Sequence, residues 1–274
     1  MKQVICGLYL SIKLVDYLRN FYLINNNNEK IFFFCVAIAI GLIALNNASA
    51  RNNIVSVNTD KGESQTLSVD SFEAKLNGLR DAQIIDTRLP EEYAINHLIN
   101  AININALQKD YQDRINKLDK TKPVFTYAIG NGRSAELAKE LIAKGFSQVY
   151  VLNGGIGGWI GNGKPIWTSS KDNFTLNDFK SIIASNKLVL LDLHTRYCPG
   201  CRKVQPVVDS VSKEYGAALK IVKVDVYDNP KIAGNFKVNA IPTLIVYNNG
   251  NIIWQHTGAD TKKADVDAVL VSVK

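Results

Sequence analysis

Two cysteines separated by two residues, Cys198 and Cys201, follow directly on an apolar run and precede a helical pattern. The run LVLLDLH predicts a buried strand, and residues 198–215 predict a helix. Cys198 would lie at the start of that helix, where the dipole favours a thiolate, the form that attacks disulfides. Cys201 would lie one turn deeper and be more buried, so that it could resolve a mixed disulfide. The spacing therefore predicts an exchange pair, although metal sites share it.

The number and positions of the cysteines limit the kinds of cysteine site that the chain can form. The chain has four cysteines, and Cys6 and Cys35 lie in the apolar N-terminal region. The single pair beyond residue 50 cannot form a disulfide scaffold, and no second pair is present for a four-thiolate zinc site.

Short apolar strands alternate with helical patterns from Leu67 onward, which predicts an α/β fold with parallel strands. The 274 residues give room for two domains, and we place the boundary near residues 168–173. The predicted strands are 83–86, 101–104, 124–128, 149–152, 187–193, 218–226, 243–247 and 251–256. The predicted helices are 90–96, 107–118, 133–144, one capped by Asn173 or Thr175 and ending near 185, 198–215, 230–236 and one from 261.

The N-terminal region predicts export. Residues 31–45 form an uncharged apolar run of 15 residues after Lys30, and Ala48-Ser49-Ala50 follows. These are the parts of a secretory signal, with cleavage after Ala50. An uncleaved anchor in the inner membrane is the alternative, although a span needs about 20 residues. Either reading of residues 1–50 predicts a periplasmic or otherwise exported protein, with residues 51–66 as a polar linker.

The net charge of +7 is spread along the chain, without a Lys/Arg run or a basic–aromatic stripe. A solvated surface explains this charge, and no nucleic-acid partner is predicted.

Residues 172–274 resemble the thioredoxin family. Asp192, six residues before Cys198, occupies the place of that family's buried strand aspartate, and Lys223 matches the lysine beside it. Ile241-Pro242-Thr243 matches the cis-proline turn that faces the disulfide. Further matches are Pro206 in the active-site helix, Asn249-Gly250 in the hairpin turn, and Gly258.

The thioredoxin resemblance implies a role for each matched residue. Cys198 attacks the substrate disulfide, Cys201 resolves it, and Asp192 manages a proton for Cys201. Pro242 shapes the docking groove, the backbone of Ile241 pairs with a substrate peptide, and Tyr197 contacts that peptide. No dissociable cofactor is implied, and electrons pass to or from a redox partner protein.

Two departures from the family pattern affect this prediction. His194 stands where most thioredoxins have tryptophan, and with Arg196 it either forms an ordinary surface or adds positive charge that favours the Cys198 thiolate. The dipeptide Pro199-Gly200 reverses the usual order, which leaves the direction of electron flow open.

Residues 67–167 resemble a rhodanese domain that lacks its sulfur carrier. Asp86, Arg88, Glu92, Tyr93 and His97 fall on the family pattern, and the loop that begins with the catalytic cysteine in active rhodaneses runs here from Ala128 to Arg133. Without a thiol at Ala128 no persulfide can form there, so a scaffold that docks or positions a partner is predicted. The loop could still present N–H groups to an anion. Asn96 and Asn100 replace two usual glycines, and His97 is interpreted as a core residue.

The sequence therefore predicts a rhodanese-like parallel-sheet domain followed by a thioredoxin-fold domain, in an exported thiol–disulfide oxidoreductase acting on protein thiols and disulfides. Three alternatives remain: a persulfide reductase working with a separate sulfurtransferase, a copper- or zinc-binding module, and a docking platform. The metal hypothesis lacks a third soft ligand, since Met1 is the only methionine and His194 the only histidine near the pair.

Overall fold

The computed structural model describes residues 62–273, which form two α/β domains as predicted. The predicted leader, residues 1–50, and most of the predicted linker lie outside the described residues. No helix within 62–273 has both the length and the apolar character needed to cross a membrane.

Five parallel strands form the sheet of the first domain, in the order β1-β6-β5-β2-β4. The strands β5 and β6 are buried along their whole length, because helices cover both faces of a parallel sheet. The strands are β1 (Gln65–Leu67), β2 (Gln83–Asp86), β4 (Ile102–Asn103), β5 (Val124–Tyr127) and β6 (Val149–Leu152), with an antiparallel pair β3 (Asn96–Leu98) and β7 (Ile166–Thr168) beside them. The helices are α1 (Val69–Gly78), α2 (Pro90–Ile95), α3 (Tyr111–Asn116), α4 (Gly132–Ala143) and α5 (Gly155–Gly161).

Several parts of the first domain differ from the sequence prediction, among them the antiparallel pair β3 and β7, which was not predicted. The end of the predicted linker is strand β1, whose exposed polar side chains give no apolar pattern but whose backbone pairs with β6. Helix α1, capped by the Ser68 hydroxyl, was not predicted. The glycine-rich stretch predicted as a closing segment is helix α5, in which every residue is buried. Tertiary packing there overrides the low helix propensity of glycine.

The second domain has a four-stranded sheet in the order β11-β10-β8-β9. Strands β8 and β9 are parallel, and β10 is antiparallel to β8 and β11. The strands are β8 (Leu188–His194), β9 (Lys220–Asp225), β10 (Thr243–Asn248) and β11 (Asn251–Thr257). The helices are α6 (Leu176–Ser185), α7 (Pro199–Tyr215), α8 (Pro230–Ala233) and α9 (Lys263–Val271). Thr175 caps α6, and Pro206 lies inside α7 as the resemblance implied.

Helix α5 of the first domain lies directly against the chain that leads to Pro242. A Cβ atom added at Gly157 would lie 2.7 Å from Cγ1 of Ile241, and one added at Gly158 would collide with the carbonyl oxygen of Asn239. Only glycine therefore permits the backbone of α5 to approach Asn239 and Ile241 so closely. This contact, rather than a turn, explains why the stretch is rich in glycine.

Hydrogen bonds hold the same contact. The N–H of Val238 donates to the carbonyl of Gly161 over 3.2 Å. The side-chain amide of Asn162 donates to the carbonyl of Val238 over 2.9 Å and to Oδ1 of Asn239 over 3.1 Å. The segment before Pro242 is thus fixed on one side by the first domain.

A second interdomain contact surrounds Tyr227. Its ring lies 5.2 Å from the guanidinium of Arg88, which is fully buried and paired with Asp86 over 2.6 Å. The hydroxyl of Tyr227 donates to Glu92 over 3.5 Å. Two residues of the rhodanese-like pattern, Arg88 and Glu92, therefore hold a side chain of the second domain, and Asp86 supports Arg88.

Candidate functional site

The cysteine pair lies where strand β8 ends and helix α7 begins. Cys198 is the N-cap of α7, and its N–H donates to the carbonyl of Thr195 over 3.1 Å. Cys198 and Cys201 form a disulfide with a Cα–Cα distance of 5.2 Å. The N–H of Cys201 donates to Sγ of Cys198 over 3.1 Å. This donor and the helix dipole together stabilise negative charge on the Cys198 sulfur.

The predicted difference in exposure between the two cysteines is wrong for this disulfide form. Cys198 is 4% exposed and Cys201 is 7% exposed. Cys198 is covered by the neighbouring turn, since its Sγ lies 3.9 Å from the carbonyl oxygen of Ile241. A Cβ atom at Gly200 would lie 3.2 Å from Cδ of Pro242 and 3.3 Å from Cβ of Ala259, which shows how closely this surface packs.

The turn facing the disulfide has the predicted conformation. The Ile241–Pro242 peptide bond is cis. The carbonyl of Pro242 accepts from the N–H of Gly258 over 3.0 Å, and the Thr243 hydroxyl donates to the carbonyl of Ala240 over 2.8 Å. The N–H of Ile241 makes no hydrogen bond within residues 62–273, so a substrate backbone could accept from it.

Asp192 is a buried carboxyl group on β8, and burial raises its pKa above the ordinary value. The charges of His194 and Lys223 oppose that rise, and Asp209 adds to it. Lys223 is the cross-strand partner of Asp192, as the resemblance implied, but its Nζ lies 3.4 Å from Oδ1 of Asp209. The positive charge of Lys223 is therefore shared between two carboxylates.

The residues just before Cys198 join a polar network that the sequence did not predict. Arg196 donates two hydrogen bonds to Asp228, of 3.0 and 2.8 Å, and lies 5.5 Å from the ring of Tyr197. Tyr197 in turn stacks on Tyr227 with ring centroids 6.0 Å apart. Arg196 is thus paired with Asp228 rather than aimed at the disulfide. The acidic residues of VDVYDNP, at the end of β9 and just after it, are the sequence signal for this network.

The rhodanese-like loop from Ala128 to Arg133 is held by its own domain. The carbonyl of Ala128 accepts from the N–H of Ile156 over 2.9 Å, and Oδ1 of Asn131 accepts from the N–H of Gly154 over 2.9 Å. Arg133 lies 3.5 Å from Glu92. The apolar side chain of Ala128 is buried, so nothing at this position can carry sulfur.

The remaining residues of the rhodanese-like pattern have structural partners. The Tyr93 hydroxyl donates to the carbonyl of Ala101 over 2.6 Å. His97 is stacked between Tyr93 and Trp167, at centroid distances of 3.9 and 4.8 Å. Asn100 takes the glycine-like φ of 64°. His97 thus has structural partners, but it is half-buried and does not belong to the buried core in which the sequence placed it.

A cavity of about 420 Å³ lies beside the start of α4. Its lining includes Thr87, Leu107, Tyr111, Arg133 and Glu140. Across residues 62–273, no group of three or more His, Cys, Asp or Glu side chains is placed to hold a metal ion.

Replacing Asp192 with Asn should raise the melting temperature at pH 7. A raised folded-state pKa means that the folded protein binds the proton more tightly, so wild-type stability falls as pH rises from the unfolded pKa through the folded one. Asn removes the free-energy cost of burying the charge. The gain in melting temperature should vanish below the pKa of the unfolded-state aspartate, about 3.9. Calorimetric scans of both proteins from pH 3 to 8 measure the difference. An equal gain at every pH would contradict the assignment.

Comparison with known proteins agrees with both resemblances. A thioredoxin family model matches residues 170–270, and a rhodanese-like domain model matches residues 68–162. Thioredoxin from Porphyra purpurea is 39% identical over 85 residues, which cover 31% of this chain and 79% of that protein. Thioredoxin from Listeria monocytogenes is 41% identical over 86 residues, covering 31% and 82% respectively. The solved structure of Fasciola hepatica thioredoxin has 27% identity and a TM-score of 0.33, covering 36% of this chain and 93% of that one.

Proposed function

Because this chain belongs to the thioredoxin family through residues 170–270, we propose that it is an exported enzyme exchanging disulfides with protein substrates through its Cys-Pro-Gly-Cys pair. The observation that carries the proposal is the Cys198–Cys201 disulfide, which lies at the start of α7 against the cis peptide of Pro242. Family membership supports the general activity, thiol–disulfide oxidoreduction.

The exchange proceeds in two displacements. In the reducing direction, the Cys198 thiolate attacks one sulfur of the substrate disulfide, forms a mixed disulfide and releases the first substrate thiolate. The Cys201 thiolate then attacks Sγ of Cys198, releases the second substrate thiolate and closes the internal disulfide. Two electrons pass from the pair to the substrate, and a redox partner protein must return them. The oxidising direction reverses these steps.

Asp192 manages the proton of the buried Cys201 in this scheme. It lies on β8, nine residues before Cys201, and it is one of the few buried carboxyl groups in the second domain. Because burial raises its pKa, the carboxyl group is a better proton acceptor than an exposed aspartate.

The rhodanese-like domain positions the substrate groove in this proposal. It contacts the segment before Pro242 through α5, and it contacts Tyr197 indirectly, because Arg88 and Glu92 hold Tyr227. Both sides of the disulfide are thus braced by a domain that has no sulfur carrier of its own. We propose that this domain serves as a docking and positioning module.

Export rests on the first 50 residues. Lys30, the apolar run 31–45 and Ala48-Ser49-Ala50 have the order of a secretory signal. An exported protein with one cysteine pair beyond residue 50 meets an environment where disulfides persist, which suits a redox-active disulfide.

A Cys201→Ala variant should trap the first step of the exchange. When the reduced protein reacts with oxidised glutathione, a mixed disulfide should persist at Cys198, because the resolving thiol is absent. Wild type should pass through the same adduct to the internal disulfide. Mass spectrometry with peptide mapping locates the adduct and separates it from any at Cys6 or Cys35.

The matched control is Cys198→Ala, which leaves Cys201 alone. Its adduct should form at least about tenfold more slowly, because Cys201 lacks the position at the helix start that favours the thiolate. Equal rates for the two variants would contradict the assignment of Cys198 as the attacking residue.

An Asn162→Ala variant tests the positioning role. The substitution removes the hydrogen bonds to Val238 and Asn239 that hold the segment before Pro242. We expect kcat/KM for the reduction of insulin, a protein disulfide substrate, to fall several-fold. A lost hydrogen bond costs about 1 kcal/mol, which corresponds to a change of that size. Exchange with glutathione, which needs no groove, should stay within about twofold of wild type.

Asn235→Ala is its control, because Asn235 is exposed and bonds within the second domain to the carbonyl of Lys231. It should leave both activities unchanged. If Asn162→Ala lowers both activities equally, or neither, the proposed positioning role is wrong.

A further inference from the structure

His194 connects the buried Asp192 to the protein surface. Its Nδ1 lies 3.6 Å from Oδ2 of Asp192 and 3.3 Å from the Asp192 carbonyl oxygen. The His194 side chain is 23% exposed, whereas that of Asp192 is 5% exposed. One ring nitrogen therefore faces the carboxyl group while the ring itself reaches solvent.

The other charged groups around Asp192 are less suited to move a proton. Lys223 approaches from β9, but its Nζ is paired with Asp209 of α7. Asp209 is itself an exposed carboxylate, and its charge opposes ionisation of Asp192. Among these neighbours, only an imidazole both donates and accepts protons near neutral pH.

The remaining neighbours of His194 have partners of their own. Asp225, its cross-strand partner on β9, accepts hydrogen bonds from Thr195, from the N–H of Arg196 and from the N–H of Tyr227. The Nε2 atom of His194 makes no hydrogen bond within residues 62–273. Nε2 can thus exchange a proton with water, whereas Nδ1 must turn from the Asp192 carbonyl oxygen to meet the carboxyl group.

We propose that His194 relays protons between Asp192 and solvent, a role that rests on the thiol–disulfide exchange proposed above. During resolution in the reducing direction, the Cys201 thiol gives its proton to the Asp192 carboxylate and attacks Sγ of Cys198. Asp192 passes that proton to Nδ1 of His194 in the tautomer that carries its hydrogen on Nε2, and Nε2 releases its own proton to water or buffer. The pair loses two electrons to the substrate disulfide, and the released thiolate departs. In the oxidising direction the proton moves inward along the same route.

His194 acts through Asp192 and does not touch the reacting sulfur atoms in this scheme, so it is a positioning and relay residue. The present Nδ1–Oδ2 distance of 3.6 Å is a few tenths of an ångström beyond a hydrogen bond. A small rotation of the ring closes it.

The test compares His194→Gln with wild type in the full chain. Reduced protein reacts with oxidised glutathione at pH 5 to 9, and quenched samples give the rate of the resolution step. The variant should resolve at least about tenfold more slowly at pH 7, and its rate should depend less on pH than that of wild type, because glutamine cannot transfer a proton. Added imidazole buffer should restore the rate in proportion to its concentration.

Two controls separate a relay from a structural role. His256, on β11, is paired with Asp260. The variant His256→Gln should keep the wild-type pH profile. In an Asp192→Asn background, His194→Gln should cause no further slowing, because the residue acts through that carboxyl group. Circular dichroism verifies that each variant is folded.

An unchanged pH profile and no response to imidazole in folded His194→Gln would overturn the relay while leaving the exchange function intact. The relay would also be overturned if His194→Gln slowed the resolution step by the same factor in wild type and in the Asp192→Asn background. Failure of wild type itself to exchange with glutathione would instead overturn the proposed function.

Discussion

A helix that begins at a cysteine, directly after a buried strand, is the constraint on which this site depends. The strand β8 places Cys198 at the N-terminus of α7, where the dipole and the N–H of Cys201 both act on its sulfur. The same strand carries Asp192 in the interior and His194 at the surface end. One strand–helix junction therefore supplies the sulfur that we propose attacks the substrate, the buried carboxyl group and its contact with solvent.

The second constraint is the contact between the two domains. Glycines of α5 let its backbone approach Asn239 and Ile241 more closely than any side chain would allow. On the other flank, the buried Asp86–Arg88 pair faces Tyr227, which stacks on Tyr197. A rhodanese-like domain without a catalytic cysteine thus retains its core pattern in residues that face the thioredoxin domain.

The buried strands and the cysteine pair could be predicted from local sequence patterns, whereas the cis-proline turn was implied by the thioredoxin resemblance. Strand β2 at Gln83–Asp86 has the predicted bounds, and the cis peptide before Pro242 is confirmed. Helix α5 could not be predicted, because glycine has low helix propensity and part of the burial of this helix comes from the other domain. The burial of Cys198 and the pairing of Arg196 with Asp228 also depend on loops brought together only by the fold.

The redox equilibrium of the full chain with glutathione tests the central claim most directly. The protein is incubated at a series of ratios of reduced to oxidised glutathione, starting from both its oxidised and its reduced form, and free thiols are alkylated and mapped. We predict one reversible two-electron transition in which Cys198 and Cys201 change together. A pair whose state does not respond to the glutathione ratio, or that retains a stoichiometric metal ion instead, would contradict the account.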